Sequence, residues 1–137
     1  MSSFFEIYNQ KGTSIISEEN AESILKELCA EITKNWMTTD HIIATLLTTS
    51  GNMSNNIVHA VHLTTPNENN YYSYRYIEVI QPIDKPFDVE VSAFQNPPTP
   101  FGKANDAISF RKILTAIIGD DRTRVLQKNL KQISTFE

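Results

Sequence analysis

The fold is decided by Tyr71-Tyr72-Ser73-Tyr74-Arg75-Tyr76-Ile77-Glu78-Val79 and, beyond a turn rich in proline, Phe87-Asp88-Val89-Glu90-Val91-Ser92-Ala93-Phe94-Gln95. Successive side chains of an extended strand point to opposite sides. Tyr72, Tyr74, Tyr76 and Glu78 are therefore expected on one face, with Tyr71, Ser73, Arg75, Ile77 and Val79 on the other. In the second run Phe87, Val89, Val91 and Ala93 alternate with Asp88, Glu90, Ser92 and Phe94. That is the pattern of a sheet buried on one side only.

Working outward, residues 41–49 and 57–65 are rich in Ile, Val, Leu and Thr and flank the loop sequence Ser50-Gly51-Asn52-Met53-Ser54-Asn55-Asn56. They read as two antiparallel strands. Thr64 to Asn70 is the next expected loop and Gln81 to Pro86 the one after. Neighbours joined by short loops pair with each other, so the expected sheet is an antiparallel meander of four long strands. Phe4 to Tyr8 is a candidate fifth, short edge strand or an ordered arm, and Lys11-Gly12-Thr13 a turn after it. Asn96-Pro97-Pro98-Thr99-Pro100 is expected to end the sheet, because proline cannot donate to a ladder.

Three helices complete the pattern. Ser17 is the expected N-cap of the first, with Glu18 and Glu19 suited to the positive end of the helix dipole. Ala21, Ile24, Leu25, Leu28, Cys29, Ile32 and Trp36 then recur at helical spacing as one apolar stripe. After the caps Asn105 or Asp106, a second stripe of Ala107, Phe110, Ile113, Leu114, Ile117 and Ile118 stops at Gly119. Asp120 or Asp121 opens the last helix, with Val125, Leu126, Leu130 and Ile133 expected inward. The chain is thus expected to be a single α+β domain over residues 1–137, with an N-terminal helix and two C-terminal helices packed on one face of a four- to five-stranded meander.

Composition narrows the function classes. A hydrophobic content of 40% with 20% charged residues belongs to a chain that folds throughout. No apolar run is long enough for a membrane helix, and Met1-Ser2-Ser3-Phe4-Phe5-Glu6 has no secretory pattern, so a cytoplasmic location is expected. Asn52-Met53-Ser54 fits the glycosylation pattern but reads as a plain loop in that setting. The net charge of −4 disfavours nucleic acid as a partner. Charge is also uneven: Glu18, Glu19, Glu22, Glu27 and Glu31 make the early chain acidic, whereas bases outnumber acids between Lys103 and Lys131.

No nucleotide loop, nucleophile elbow, paired-cysteine motif or metalloprotease helix occurs, which points away from an enzyme. Cys29, the sole cysteine, lies in an apolar helical stripe and reads as a buried thiol. His59 and His62 point to opposite faces of a strand and His41 is distant, so no metal site is expected. Asp88 and Glu90 on one strand face read as solvated polar groups rather than an acid and base pair. Arg75, Arg122 and Arg124 are candidate anion ligands, with local ion pairs to Asp120 and Asp121 the simpler reading. An open sheet face carrying Tyr72, Tyr74, Tyr76, Glu78, Asp88 and Glu90 would be an aromatic, acidic surface for binding another protein.

The general plan resembles small bacterial immunity proteins encoded beside contact-dependent growth inhibition and related polymorphic toxins. The likeness lies in Tyr72 to Val79, in Phe87-Asp88-Val89-Glu90-Val91, and in Asp106 through Leu130, where the Phe110 to Ile118 helix is followed by Thr123 and Leu130. These are packing patterns, so the resemblance transfers no residue's role. It implies a cytoplasmic binding protein without active site or cofactor, which neutralises a toxin domain, often a nuclease with a basic surface. Two other readings remain open. One is a small enzyme or ligand-binding domain with a pocket between sheet and helices that uses His59, Arg75 and a tyrosine; the other is an adaptor that self-associates through a sheet edge or the tyrosine face.

Overall fold

The computed structural model describes residues 19–50, 55–67, 70–95 and 97–135, and in them the expected α+β arrangement is present. Helix α1 (Ala21–Asp40) leads into strands β1 (Ile43–Ser50), β2 (Asn56–Asn67), β3 (Asn70–Pro82), β4 (Val89–Ala93) and β5 (Thr99–Ala104). Helices α2 (Ala107–Ile118) and α3 (Asp121–Thr135) follow. The sheet order β1-β2-β3-β4-β5 is the order in sequence, and every pairing is antiparallel. The expected strand at Phe4 to Tyr8, the turn at Lys11 to Thr13 and the Asn52-Met53-Ser54 loop lie outside the described residues. The expected cap of the first helix is corrected: the helix starts at Ala21 behind Asn20, not behind Ser17, so Glu19 precedes the cap and Glu22 is the acid of the first turn.

The fifth strand is Thr99–Ala104, which the proline-rich sequence had marked as the end of the sheet. Pro100 is tolerated because β5 pairs with β4 alone, so its missing N–H costs the ladder nothing, and because it sits opposite Ser92 beside a register shift. Pro66 is a similar case. Its sequence predicts a loop, yet β2 runs on to Asn67, and β1 has already ended at the Ile43↔Thr64 pair, so among the described residues Pro66 has a neighbouring strand on one side only.

Helix α1 is capped by Asn20, whose side chain accepts from the Ser23 N–H at 2.8 Å while the Ser23 hydroxyl accepts from the Asn20 N–H at 3.0 Å. This reciprocal box satisfies two donors that a helix start leaves open. The helix ends at His41 in the left-handed region, φ 58° and ψ 39°. Asp106 caps α2 through the Ser109 N–H at 2.8 Å, and that bond with the Ser109 hydroxyl holds the Asp106 carboxyl below its usual value. Gly119 closes α2 as expected.

The three helices form one layer, α1 against β1, α3 against β2 and α2 against β5, with α1 touching both of the others. Beneath them Ala44, Val61, Leu63, Ile77, Val79, Val89, Val91 and Ala93 are buried in register, and Ile24, Leu25, Ile32, Phe110, Leu114, Ile117 and Leu130 descend from the helices. Val125, expected inward, is 57% exposed: the inward stripe of α3 runs through buried Thr123 and Leu130 and half-buried Leu126, and Val125 falls outside it. Cys29 is buried, and desolvation pushes its thiol up to about 11.

Candidate binding surface

Two β-bulges decide which aromatic side chains can reach a surface. Val61 pairs with Ile77 and His62 with Arg75, so Tyr76 is an extra residue opposite that junction. A bulge shifts the two-residue alternation by one. As a result Tyr76 and Ile77 are consecutive yet both buried, and Tyr76 points to the helix layer while Glu78 points away from it. The expected face of Tyr72, Tyr74, Tyr76 and Glu78 is therefore divided: the tyrosines go to the helix side, and Glu78 lies on the opposite side with Arg75 at 3.2 Å. Tyr76 is 1% exposed and belongs to the core. Tyr74 is half-buried and its hydroxyl accepts from the Gln95 N–H at 3.0 Å. Tyr72 is exposed at the β2–β3 hairpin, beside Tyr71.

The second bulge lies where Val91 pairs with Gly102 and Ser92 with Pro100, leaving Phe101 as the extra residue. Phe94 adopts φ 67°, a left-handed conformation that is strained for a bulky side chain, and its N–H donates to the Tyr76 carbonyl at 2.8 Å. Tyr76, Phe94 and Phe101 make one cluster, with centroids 5.7 and 6.1 Å apart, and the Arg122 guanidinium covers Phe94 at 4.5 Å. Arg122 also bonds Asp120 at 3.0 Å and Thr99 at 2.9 Å. The arginine expected either as an anion ligand or in a local ion pair is thus engaged locally. The Tyr76 hydroxyl meets the Thr123 hydroxyl at 2.6 Å, and Thr123 donates to the Ile117 carbonyl at 2.7 Å. Burial raises the Tyr76 phenol well above the usual tyrosine range.

The carboxylates on and beside the open sheet face have basic neighbours. Glu90 pairs with Lys103 at 3.4 Å and Asp88 with Lys85 at 3.4 Å, in addition to Glu78 with Arg75. Asp88 precedes β4 with φ 71°, outside the alternation that had placed it beside Glu90. This face is charge-balanced, with Leu47, Val58 and Ile80 interspersed. His59 lies on the helix side, 2% exposed, bonded to Thr48 at 2.9 Å and Gln81 at 2.7 Å. Arg75 is on the other side of the sheet, so the pocket expected from His59, Arg75 and a tyrosine is not assembled. His62, across from Arg75, is held below the usual imidazole value by desolvation and by that guanidinium. Among the described residues no cluster of His, Cys, Asp and Glu could hold a metal ion, and no helix is long and apolar enough to cross a membrane.

A groove of about 310 Å³ lies between α1 and α2 in the helix layer. Its floor is Ile24, Leu28, Ile32 and Trp36 from α1 with Leu114 and Ile118 from α2. The apolar stripe of α1 is wider than the sheet beneath can cover, so Leu28 and Trp36 are only half-buried. Glu27, Glu31 and Asn35, one helical turn apart, form one rim, and Arg111 and Thr115 the other. Arg111 closes one end by bonding Glu19 at 2.6 Å and Glu27 at 2.8 Å, bonds that raise its pKa further. Glu31 has no ion pair among the described residues. The groove thus combines an apolar floor with one carboxylate, Glu27, neutralised by Arg111, and a second, Glu31, that is not.

Compared with known proteins, the chain matches no family model, no curated protein sequence and no solved structure.

Proposed function

We propose that this protein is a binding module that neutralises a toxin domain, in the manner of the immunity proteins its sequence plan resembles, and that the α1–α2 groove receives a basic segment of that partner. The observation that carries this reading is the juxtaposition of an apolar floor with the carboxylates Glu27 and Glu31, the latter without an ion pair among the described residues. Apolar anchors seated in such a trough supply affinity, while acidic groups at its rim steer a basic partner and raise the association rate. We favour the helix layer over the sheet face because the tyrosines are divided and Glu78, Asp88 and Glu90 all pair with basic side chains, whereas in the groove Glu27 pairs with Arg111 and Glu31 has no ion pair among the described residues.

The test is co-expression with the toxin domain encoded by the adjoining reading frame, scored by survival of the host and by association kinetics of the purified pair. Protection is expected with the parent protein. The double substitution Glu27→Lys and Glu31→Lys is expected to slow association at least tenfold at low salt, with a smaller effect at high salt. Full-rate association of the double variant at low salt would remove the groove from the interface, and absence of any protection would remove the toxin reading itself.

A further inference from the structure

The two edges of the sheet are built differently. Strand β5 is blunted by Pro100, by the bulge at Phe101, by Gly102 at φ 135° and by the exposed Lys103, the devices by which proteins prevent edge pairing. Strand β1 has none of them. No Asp, Glu, Lys or Arg occurs anywhere from Ile42 to Asn67, β1 contains neither proline nor bulge, and Leu47 is 55% exposed.

Among the described residues its outward backbone is closed at one point. The Ala44 N–H donates to the Thr33 hydroxyl of α1 at 2.9 Å, and that hydroxyl also lies 3.4 Å from the Ala44 carbonyl, so the polar groups of Ala44 face away from β2. With a period of two, Leu46, Thr48 and Ser50 present their N–H and C=O groups the same way. No backbone bond from outside the β1–β2 ladder reaches them among the described residues. Helix α1 crosses the sheet diagonally, from the Pro86 carbonyl, which accepts the Ala21 N–H at 3.3 Å, to Ala44. It therefore overhangs the beginning of the β1 edge and does not reach the Ser50 end, which no other described element covers.

We propose that β1 is a self-association edge, in which Leu46 to Ser50 of two copies pair antiparallel about a two-fold axis at Thr48 and join two five-stranded sheets into one. A second copy fits this edge by its own sequence. About that axis Leu46 meets Ser50, Leu47 meets Thr49 and Thr48 meets itself, so no like charges oppose each other and aliphatic and β-branched side chains pair. The two-fold keeps helix side with helix side, and it sets the two exposed Leu47 side chains on diagonal positions within reach of each other. A strand long enough to run past Ala44 would meet α1, which favours this short, self-complementary pairing. The paired segment is short, so the contact belongs with small interfaces, below about 1,200 Å², and the dimer dissociates on dilution.

The experiment is sedimentation of the full chain over a wide concentration range, together with amide hydrogen exchange by NMR at both ends of that range. A monomer–dimer equilibrium is expected, with the amides of Leu46, Thr48 and Ser50 protected in concentrated solution and exchanging in dilute solution. Leu47→Lys, an exposed change, is expected to weaken dimerisation at least tenfold while leaving the thermal transition of the dilute protein unchanged. A monomer at every concentration would overturn the proposal, as would a dimer indifferent to Leu47→Lys. Concentration-independent protection of these amides in a monomer would also overturn it, because another part of the same chain would then occupy the edge.

Discussion

At the corner where β3 meets the α2–α3 turn, polar atoms and rings are matched: Tyr76 to Thr123, Thr123 to the Ile117 carbonyl, Arg122 to Asp120, Phe94 and Thr99. A few residues away in the same helix layer, the trough between α1 and α2 leaves Leu28 and Trp36 half-covered and the Glu31 carboxylate unmatched among the described residues. The first region spends its side chains on one another. The second leaves side chains free to meet something else. Because polar groups are costly to bury unless matched, substitutions in the corner are read in stability and substitutions in the trough in binding.

Removing the corner's central ring is the largest expected effect. Tyr76→Ala leaves a cavity under Phe94 and is expected to lower stability by about 3 to 5 kcal/mol, measured by urea denaturation. Leu28→Ala in the trough removes a half-buried side chain and should cost well under half as much; equal losses would erase the distinction between the regions. Tyr76→Phe separates the hydroxyl from the ring. Thr123 keeps the Ile117 carbonyl as its acceptor, so no buried donor is orphaned and a loss of about 1 kcal/mol is expected in the same assay.

Alkaline pH probes the core without mutation. Cys29, moved from 9.0 to about 11, and the raised Tyr76 phenol hold their protons longer in the folded state than in the unfolded chain. Their contribution is complete below about pH 9 and is lost as pH rises through the folded values, so the urea midpoint should fall steadily above pH 9. Cys29→Ala should flatten the part of that fall attributable to the thiol, and a midpoint unchanged to pH 11 would contradict the burial of both groups. The smallest stability effect is expected for Glu31→Lys, within about 0.5 kcal/mol of the parent by the same denaturation. A large loss there would mean that Glu31 is structural and would withdraw it from the proposed interface.

Helical spacing made the apolar stripes of α1 and α2 legible, along with the Asp106 cap and the Gly119 stop, because each follows from local chemistry. Strict alternation misled where a bulge intervened. Nothing in Tyr74-Arg75-Tyr76-Ile77 announces that one residue will be left over; the slip depends on pairing with Val61 and His62, on a different strand. Fold-level context likewise overrode local chemistry at Pro66 and Pro100, where a missing N–H is harmless because only one neighbouring strand is present. The trough was half-visible. Glu27, Glu31 and Asn35 fall on one line and Leu28 and Trp36 on the next, but whether a stripe so wide is fully covered depends on how closely α2 approaches.

Strand order equal to chain order also bears on how the molecule is made. Each strand finds its partner immediately behind it, so the sheet can zip together from successive hairpins as the chain leaves the ribosome, with little loop-closure entropy to overcome at any step. Other contacts bridge the chain: Arg111 of α2 reaches Glu19 across 92 positions, Gln127 reaches Asp40 across 87, and Thr123 reaches Tyr76 across 47. The last two come from α3, the last described element to be synthesised. That helix thus serves as a latch, and a nascent chain arrested before it would carry a paired sheet whose core still lacks Leu130 and whose Tyr76 hydroxyl still lacks Thr123.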